Sequence, residues 1–164
     1  MTDRQPADPP KKNLLAGPLA IRAVVLLGRL LPRKVGLRLA DIIGVYLGKR
    51  KKSPMVRAIR ANQWVVHGGD LSPEKLDRLP VEIFQSASRC LFDYFFFLSR
   101  QEQLKSVVKF SPEAQRAIHR IRQNQPSVIV APHLSNFDLM GYALALKGLD
   151  IQVLSFPNPN PSYQ

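Results

Sequence analysis

The sequence predicts an α/β fold in which amphipathic N-terminal helices precede the first half of a mixed, partly parallel sheet. Two short runs rich in β-branched residues, 127–131 and 151–155, have the composition of buried strands. Residues 136–147 lie between them and form an apolar helical stretch that ends at Gly148. Strand, helix and strand at this spacing predict a βαβ crossover with parallel strands. With 164 residues, the chain is long enough for one domain.

The charge balance predicts anionic partners. The chain has 24 Lys and Arg against 12 Asp and Glu, a formal charge of +12. Such an excess favours nucleic acid, an anionic membrane surface, or phosphorylated and acyl-carrier substrates, and it does not choose among them. The single cysteine, Cys90, excludes an internal disulfide and indicates a reducing compartment.

The N-terminal third predicts contact with a membrane surface. Residues 1–13 form a polar, Pro-rich tail that we expect to be disordered, with no secretory cleavage site after it. In residues 14–47, cations interrupt every apolar run before the roughly 18 residues that a spanning helix needs. Prolines 18 and 32 divide this region into two amphipathic helices. The apolar faces of these helices would contact the membrane or, alternatively, the core of the protein. We expect the protein to lie peripherally or monotopically on the membrane.

A polybasic run follows these helices and favours anionic headgroups as its partner, although by itself it would also suit a solvated loop. Residues 14–52 therefore form the predicted membrane-contact region, and residues 53–164 form the next segment. The run consists of Lys49, Arg50, Lys51 and Lys52.

Three Ser-Pro pairs predict helix starts, because serine is a good N-cap and proline suits the first helical turn. The pair at 53–54 opens a helix to about Val66, and the pair at 72–73 opens one to about Ser99 with a break before Pro80. The aromatic run at the end of that helix predicts core, with one wall of a lipid groove as the alternative.

The third Ser-Pro pair opens a helix over about 111–124, after a short predicted strand at 107–110. We interpret the cations of this helix as a solvated face and give His119 no role. Only three histidines occur in the chain, without ligand spacing, so we predict no metal site.

His133 and Asp138 form the candidate catalytic pair. In open α/β sheets, reactive groups collect at the carboxyl ends of strands, and His133 follows the run 127–131 by two residues. With Ser135 as the N-cap, Asp138 would lie in the first helical turn and could orient the imidazole as a base. On spacing alone, a capping box between Ser135 and Asp138 is the favoured interpretation of the carboxylate.

The stretch His133-Leu-Ser-Asn-Phe-Asp138, the apolar helix after it and the Asn-Pro segment at 155–161 resemble the lysophospholipid acyltransferase superfamily. The likeness is closest to the bacterial lipid A biosynthesis branch, the lauroyl- and myristoyl-transferring enzymes, with its similar His-x-Gly-Asn-Trp-Glu stretch. The resemblance implies that His133 is the general base on an acceptor hydroxyl and that Asp138 assists it. It also implies that substrate is bound by five further residues: Ser135, Asn136, Phe137, Asn158 and Pro159.

The implied reaction moves a fatty acyl group from acyl-carrier protein or coenzyme A to a glycolipid or lysophospholipid, on the cytoplasmic face of the inner membrane and without a cofactor. The chain departs from the branch at Ser135 in place of Gly, Phe137 in place of Trp, Asp138 in place of Glu and Phe156 in place of Arg. The family's later Arg and Glu motifs have no counterpart here. We therefore expect residues 53–164 to be the N-terminal part of an acyltransferase domain, incomplete at its C-terminus.

Two other classes stay open. A non-catalytic, membrane-associated remnant of such an enzyme would keep the helices without the reaction. A basic nucleic-acid-binding module would explain the charge, but the aromatic residues cluster in one helix instead of alternating with arginine as a stacking platform requires. We expect no nucleic-acid partner. A serine hydrolase is disfavoured because the sequence has no Gly-x-Ser-x-Gly elbow.

Overall fold

The computed structural model describes residues 18–123, 125–130 and 135–152. Within these ranges the chain is helical, and the predicted α/β class is wrong for them because no residue lies in a β-strand. The helices in chain order are α1 (Pro18–Leu30), α2 (Arg33–Gly48), α3 (Pro54–Val66), α4 (Pro73–Leu98), α5 (Gln101–Val107), α6 (Pro112–Arg122) and α7 (Phe137–Leu146).

The predicted strands fail because β-branched composition favours a strand only where a neighbouring strand completes its hydrogen bonds. Residues 125–130 have no regular structure, and the side chains of Val128 and Val130 are 91% and 89% exposed. Residues 151–152 are also irregular, while the remainder of both runs lies outside the described residues. The third predicted strand, 107–110, begins with the last residue of α5 and continues without regular structure.

The predicted helix starts are confirmed. Each of the three Ser-Pro pairs precedes or opens a helix, with proline in its first turn. The hydroxyl of Ser72 accepts a hydrogen bond from the Lys75 backbone N–H at 3.3 Å, and that of Ser111 accepts one from Ala114 at 3.2 Å. The pKa of Glu74 is lowered mainly because its carboxylate accepts a hydrogen bond from its own backbone N–H. A second hydrogen bond, from the Ser72 hydroxyl, lowers the pKa further. Side-chain capping therefore sets where α4 and α6 begin, whereas Ser53 makes no capping hydrogen bond and α3 begins at Pro54 without one.

The predicted break before Pro80 is wrong, because α4 continues through this residue for 26 residues in all. A proline inside a helix removes one backbone hydrogen bond and costs about 3 kcal/mol. Pro80 is fully buried, and its backbone lies against Gly48 at the end of α2. Burial against α2 at this position offsets the cost, so α4 stays continuous.

Helix α4 is the centre of the fold and packs against α1, α2, α3, α5 and α7. Its aromatic run forms the core, as predicted. The Phe96 and Phe97 rings pack edge to face with their centroids 5.2 Å apart, and the Phe92 ring lies beside that of Phe96. Such aromatic pairs add to the free energy gained by burying their area. Helix α6 has no buried residue and lies at the edge of this core.

Small residues on α2 let its backbone approach α4. Gly36, Ala40, Gly44 and Gly48 recur at every fourth position, so they form one row along the helix, and all four are buried. A Cβ atom added at Gly44 would lie 2.5 Å from the Cα atom of Gln85. The four-residue spacing of these small residues is the sequence signal for this close contact.

Ion pairs lie beside this helix contact. Arg33 donates two hydrogen bonds of 2.8 Å to the carboxylate of Asp93, and this pairing raises the pKa of Arg33. Arg89 on α4 makes a similar two-point contact with Asp41 on α2, with 2.7 Å between Nη2 and Oδ2. Two-point arginine–carboxylate contacts have a defined geometry, so they help to set the register between the two helices.

Arg100 holds the end of α1 against α4. Its guanidinium donates hydrogen bonds to the carbonyl oxygens of Gly28 and Arg29 at 2.9 and 2.7 Å and to that of Phe96 at 2.9 Å. It also lies over the Phe96 ring, 4.0 Å from the centroid. Carbonyl groups in the last turn of a helix have no hydrogen-bond donor within that helix. Arg100 is the donor for two such carbonyl groups at the end of α1.

Candidate functional site

Of the predicted catalytic pair, the structure describes Asp138 but not His133. His133 lies outside the described residues, as do Asn158 and Pro159. Asp138 lies in the first turn of α7 with an exposed side chain. Ser135, Asn136 and Phe137 immediately precede it, so the described part of the site is one continuous stretch at the start of this helix.

Core contacts fix the start of α7. Leu139 and Ala143 are buried in the cluster that contains Phe96 and Leu104, so the inner face of α7 is attached to α4 and α5. Asp138 adjoins Leu139 but faces solvent. The carboxylate is therefore carried on a packed helix, which limits how far it can move relative to the core.

The predicted N-cap is wrong. Asn136, not Ser135, is the N-cap residue of α7, and its side chain makes no capping hydrogen bond. A capping box needs the acidic residue three positions after the cap, and that position is Leu139. The capping-box interpretation of Asp138 is therefore wrong as well, because the helix begins one residue later than expected.

Ser135 has a strained backbone. Its φ angle is 51°, in the left-handed region that residues with a Cβ atom rarely adopt. Its hydroxyl oxygen lies 3.9 Å from the sulfur of Cys90 on α4. Such conformations cost on the order of 1–3 kcal/mol and cluster at functional sites. The strained residue therefore lies within the described part of the candidate site.

Exposed apolar side chains lie on one face of α2 and near the end of α1. We name this group the α1–α2 apolar surface, and it comprises Leu26, Leu30, Val35, Leu39, Ile42 and Tyr46. Ile42 is 66% exposed and Tyr46 is 60% exposed. The α2 members lie at positions i, i+4, i+7 and i+11, on the side of the helix away from the small-residue row.

Exposed cations border this surface. Lys34 and Arg38 lie beside it on α2 and form no ion pair within the described ranges. Apolar residues with flanking cations are typical of helices that lie in the interface of an anionic membrane. None of the helices in the described part of the chain is long and apolar enough to span a bilayer.

The polybasic run divides into two pairs. Lys51 forms an ion pair with Asp77 on α4, which also pairs with Arg60, and Arg50 lies over the Tyr46 ring at 4.8 Å. Lys49 and Lys52 are exposed and have no ion pair among the described residues. Two of the four predicted headgroup contacts, Lys51 and Arg50, therefore have partners within the protein. The position of Asp77 could not be known from sequence because it lies 26 residues after Lys51.

No model of a known protein family matches the chain, no curated protein matches its sequence, and no solved structure matches its fold. The resemblance to acyltransferases therefore remains a prediction based on the motif around His133 and Asp138.

Proposed function

We propose that this protein is an O-acyltransferase that moves a fatty acyl group from a thioester to a hydroxyl group of a lipid at a membrane surface. The observation that carries the proposal is the exposed carboxylate of Asp138 on a core-packed helix, five positions after His133. Because Asp138 is not at the capping-box position, we assign its carboxylate to the reaction and not to the helix cap. The motif likeness gives the reaction type.

The proposed reaction uses one base and no covalent enzyme intermediate. His133 takes the proton of the acceptor hydroxyl as its oxygen attacks the thioester carbonyl carbon. The carbon–sulfur bond then breaks, an ester forms, and the departing thiolate receives the proton from the imidazolium. Asp138 orients the imidazole and stabilises its positive charge, as the carboxylate does in hydrolase triads.

The α1–α2 apolar surface supports the membrane half of the proposal. Lipid acceptors reside in a bilayer, so an enzyme that acylates them must approach the interface. Burying a large aliphatic side chain contributes about 1.5–3 kcal/mol, and each basic residue near an anionic surface adds about 1 kcal/mol. Several exposed apolar residues with Lys34 and Arg38 beside them suffice for reversible binding.

The Asp138→Asn variant tests the catalytic role. We expect acyl transfer from fatty acyl-coenzyme A or fatty acyl-carrier protein to a lysophospholipid to fall at least about tenfold, because the amide cannot stabilise the imidazolium. The complete gene product is assayed by following radiolabelled acyl lipid. Asp150→Asn is the matched control, since Asp150 is exposed beyond the other end of α7. Equal rates for Asp138→Asn and the unaltered protein would contradict the assignment.

The Ile42→Asp variant tests the membrane surface. We expect binding to vesicles of equimolar phosphatidylcholine and phosphatidylglycerol to weaken roughly tenfold or more, because an exposed aliphatic group is replaced by a charge that must stay hydrated. Vesicle co-sedimentation measures the bound fraction. Val107→Asp is the control, because Val107 is exposed on α5. Similar losses for both variants would show that the surface is not specific.

The non-catalytic alternative is favoured by the same apolar surface, which does not depend on His133. The two tests separate the possibilities. Vesicle binding that depends on Ile42, together with no acyl transfer by the unaltered protein with either donor, would support a membrane-associated protein without this activity.

A further inference from the structure

A groove lies at the edge of the core, between residues 108–110, α6 and the end of α7. Its floor is apolar and consists of Val108, Phe110 and Ile118, all partly buried. Three cationic side chains also line it, Lys109 from the loop, Arg122 from α6 and Lys147 after α7, and Gln115 and His119 of α6 complete the lining. The sequence analysis had assigned the α6 cations to a solvated face, because the groove is assembled from three separate segments.

The charge of this groove is uncompensated. No carboxylate is among its lining residues, and the three cations form no ion pair within the described ranges. Arg116 on the same helix as Arg122 differs from them, because its guanidinium pairs with the carboxylate of Glu113. An anion bound in this concavity would be attracted by all three cations.

Helix dipoles explain only part of this arrangement. Arg122 lies in the last turn of α6 and Lys147 follows the last turn of α7, and cations are favoured at these negative ends. Lys109 lies at no helix end. The dipole argument also gives no reason for cations of three segments to converge above one apolar floor.

We propose that this groove binds the phosphate of a phosphopantetheine-linked acyl donor, with Lys109, Arg122 and Lys147 as the phosphate ligands. Coenzyme A and acyl-carrier protein share this chemistry: a phosphate joined to a long, largely uncharged arm that ends in the thioester sulfur. The inference rests on the proposed acyl transfer for the identity of the ligand.

The spacing within α7 suits such a donor. Lys147 lies nine residues after Asp138 on the same helical segment, which corresponds to roughly 14 Å along the axis. A phosphate at Lys147 would leave the flexible arm to run along α7 toward the start of the helix. The floor residues Val108 and Phe110 would contact the apolar part of the arm next to the phosphate.

Charge reversal in the groove tests the proposal. Titration calorimetry at low salt measures binding of coenzyme A, and separately of holo-acyl-carrier protein, to the complete gene product. The double variant Lys109→Glu/Arg122→Glu should bind the relevant donor at least about tenfold more weakly, because two charge-assisted contacts are lost. Loss confined to one donor identifies that donor as the ligand, and loss for both identifies the shared phosphopantetheine.

Arg120→Glu/Lys75→Glu is the matched control, because it changes the net charge equally with exposed residues that lie outside the groove and form no ion pair within the described ranges. We expect its affinity to stay within about twofold of the unaltered protein, since screening weakens charges that do not touch the ligand. Equal weakening in both double variants, unchanged binding in the groove variant, or no binding of either donor to the unaltered protein would overturn the proposal.

Binding is measured without turnover, so this result is independent of the acyl-transfer assay. In the Asp138→Asn background, groove-dependent donor binding should persist while transfer is lost. Groove-dependent binding in a protein that transfers no acyl group would uphold the phosphate site and reject the reaction. Transfer with no dependence on the groove would reject only the site.

Discussion

Replacing His133 with alanine is expected to lower the rate of acyl transfer by on the order of 10²–10⁴-fold, the usual contribution of a general base. An acceptor hydroxyl holds its proton tightly near neutral pH, so its oxygen attacks a thioester slowly unless a base removes that proton. Imidazole is well matched to this task because it titrates close to neutrality. No other histidine lies within ten positions of Asp138.

The measurement is the initial rate of lipid acylation at saturating thioester donor, with the complete gene product on vesicles. His67→Ala is the control: His67 follows α3, and its ring nitrogen Nδ1 lies 2.9 Å from the Gln63 carbonyl oxygen. The control should retain the unaltered rate. Vesicle binding should be unchanged in both variants, because neither histidine belongs to the α1–α2 apolar surface. A His133→Ala protein that transfers acyl groups at the normal rate would reject the proposed mechanism.

Replacing Gly44 with alanine should destabilise the fold by about 1–3 kcal/mol, the range for an over-packed interior position. The added Cβ would lie 2.5 Å from Gln85 Cα and 2.6 Å from Gln85 N. These are backbone atoms of a helix, so they cannot turn aside as the end of a side chain can. The two helices must separate, and the neighbouring contact of Arg89 with Asp41 would be disturbed with them.

Gly141→Ala is the matched control for this experiment. Gly141 is also inside a helix, but a Cβ there would meet nothing within 4 Å. Alanine has the better helix propensity, so this variant should gain about 0.5–1 kcal/mol. Thermal unfolding followed by circular dichroism should therefore show a midpoint lowered by roughly 3–10 °C for Gly44→Ala and a small rise for Gly141→Ala. A rise for both would mean that α2 and α4 do not approach as described.

Much of the helical part of the fold was predictable because its signals are local. Ser72 and Ser111 cap backbone groups only three residues away, so the sequence carried both the donor and the acceptor. Glycines also end helices predictably: Gly148 has a φ angle of +79°, which glycine adopts without steric cost. Burial of the aromatic run of α4 was predictable because large apolar side chains are usually buried in the core.

The class of the fold was not predictable in this way. Residues 127–130 have strand composition, but a strand requires partner backbone groups that no local pattern specifies, and the described residues provide none. The same limit applies to Pro80, where the local rule predicted a break. Contacts with α2 decided the outcome, because burial against Gly48 outweighs the loss of one backbone hydrogen bond.

For the candidate site, the sequence determined the chemical groups and the tertiary structure decided their surroundings. The types and spacing of His133 and Asp138 define the proposed reaction. The structure placed the N-cap at Asn136 and left the Asp138 side chain exposed, which removed the capping interpretation. It also paired Lys51 with Asp77 and brought Lys109 to the same groove as Lys147. Capping by Ser72 and Ser111 acts within one helical turn and could be read from sequence, whereas ion pairs and grooves join distant segments and exist only once the helices have packed.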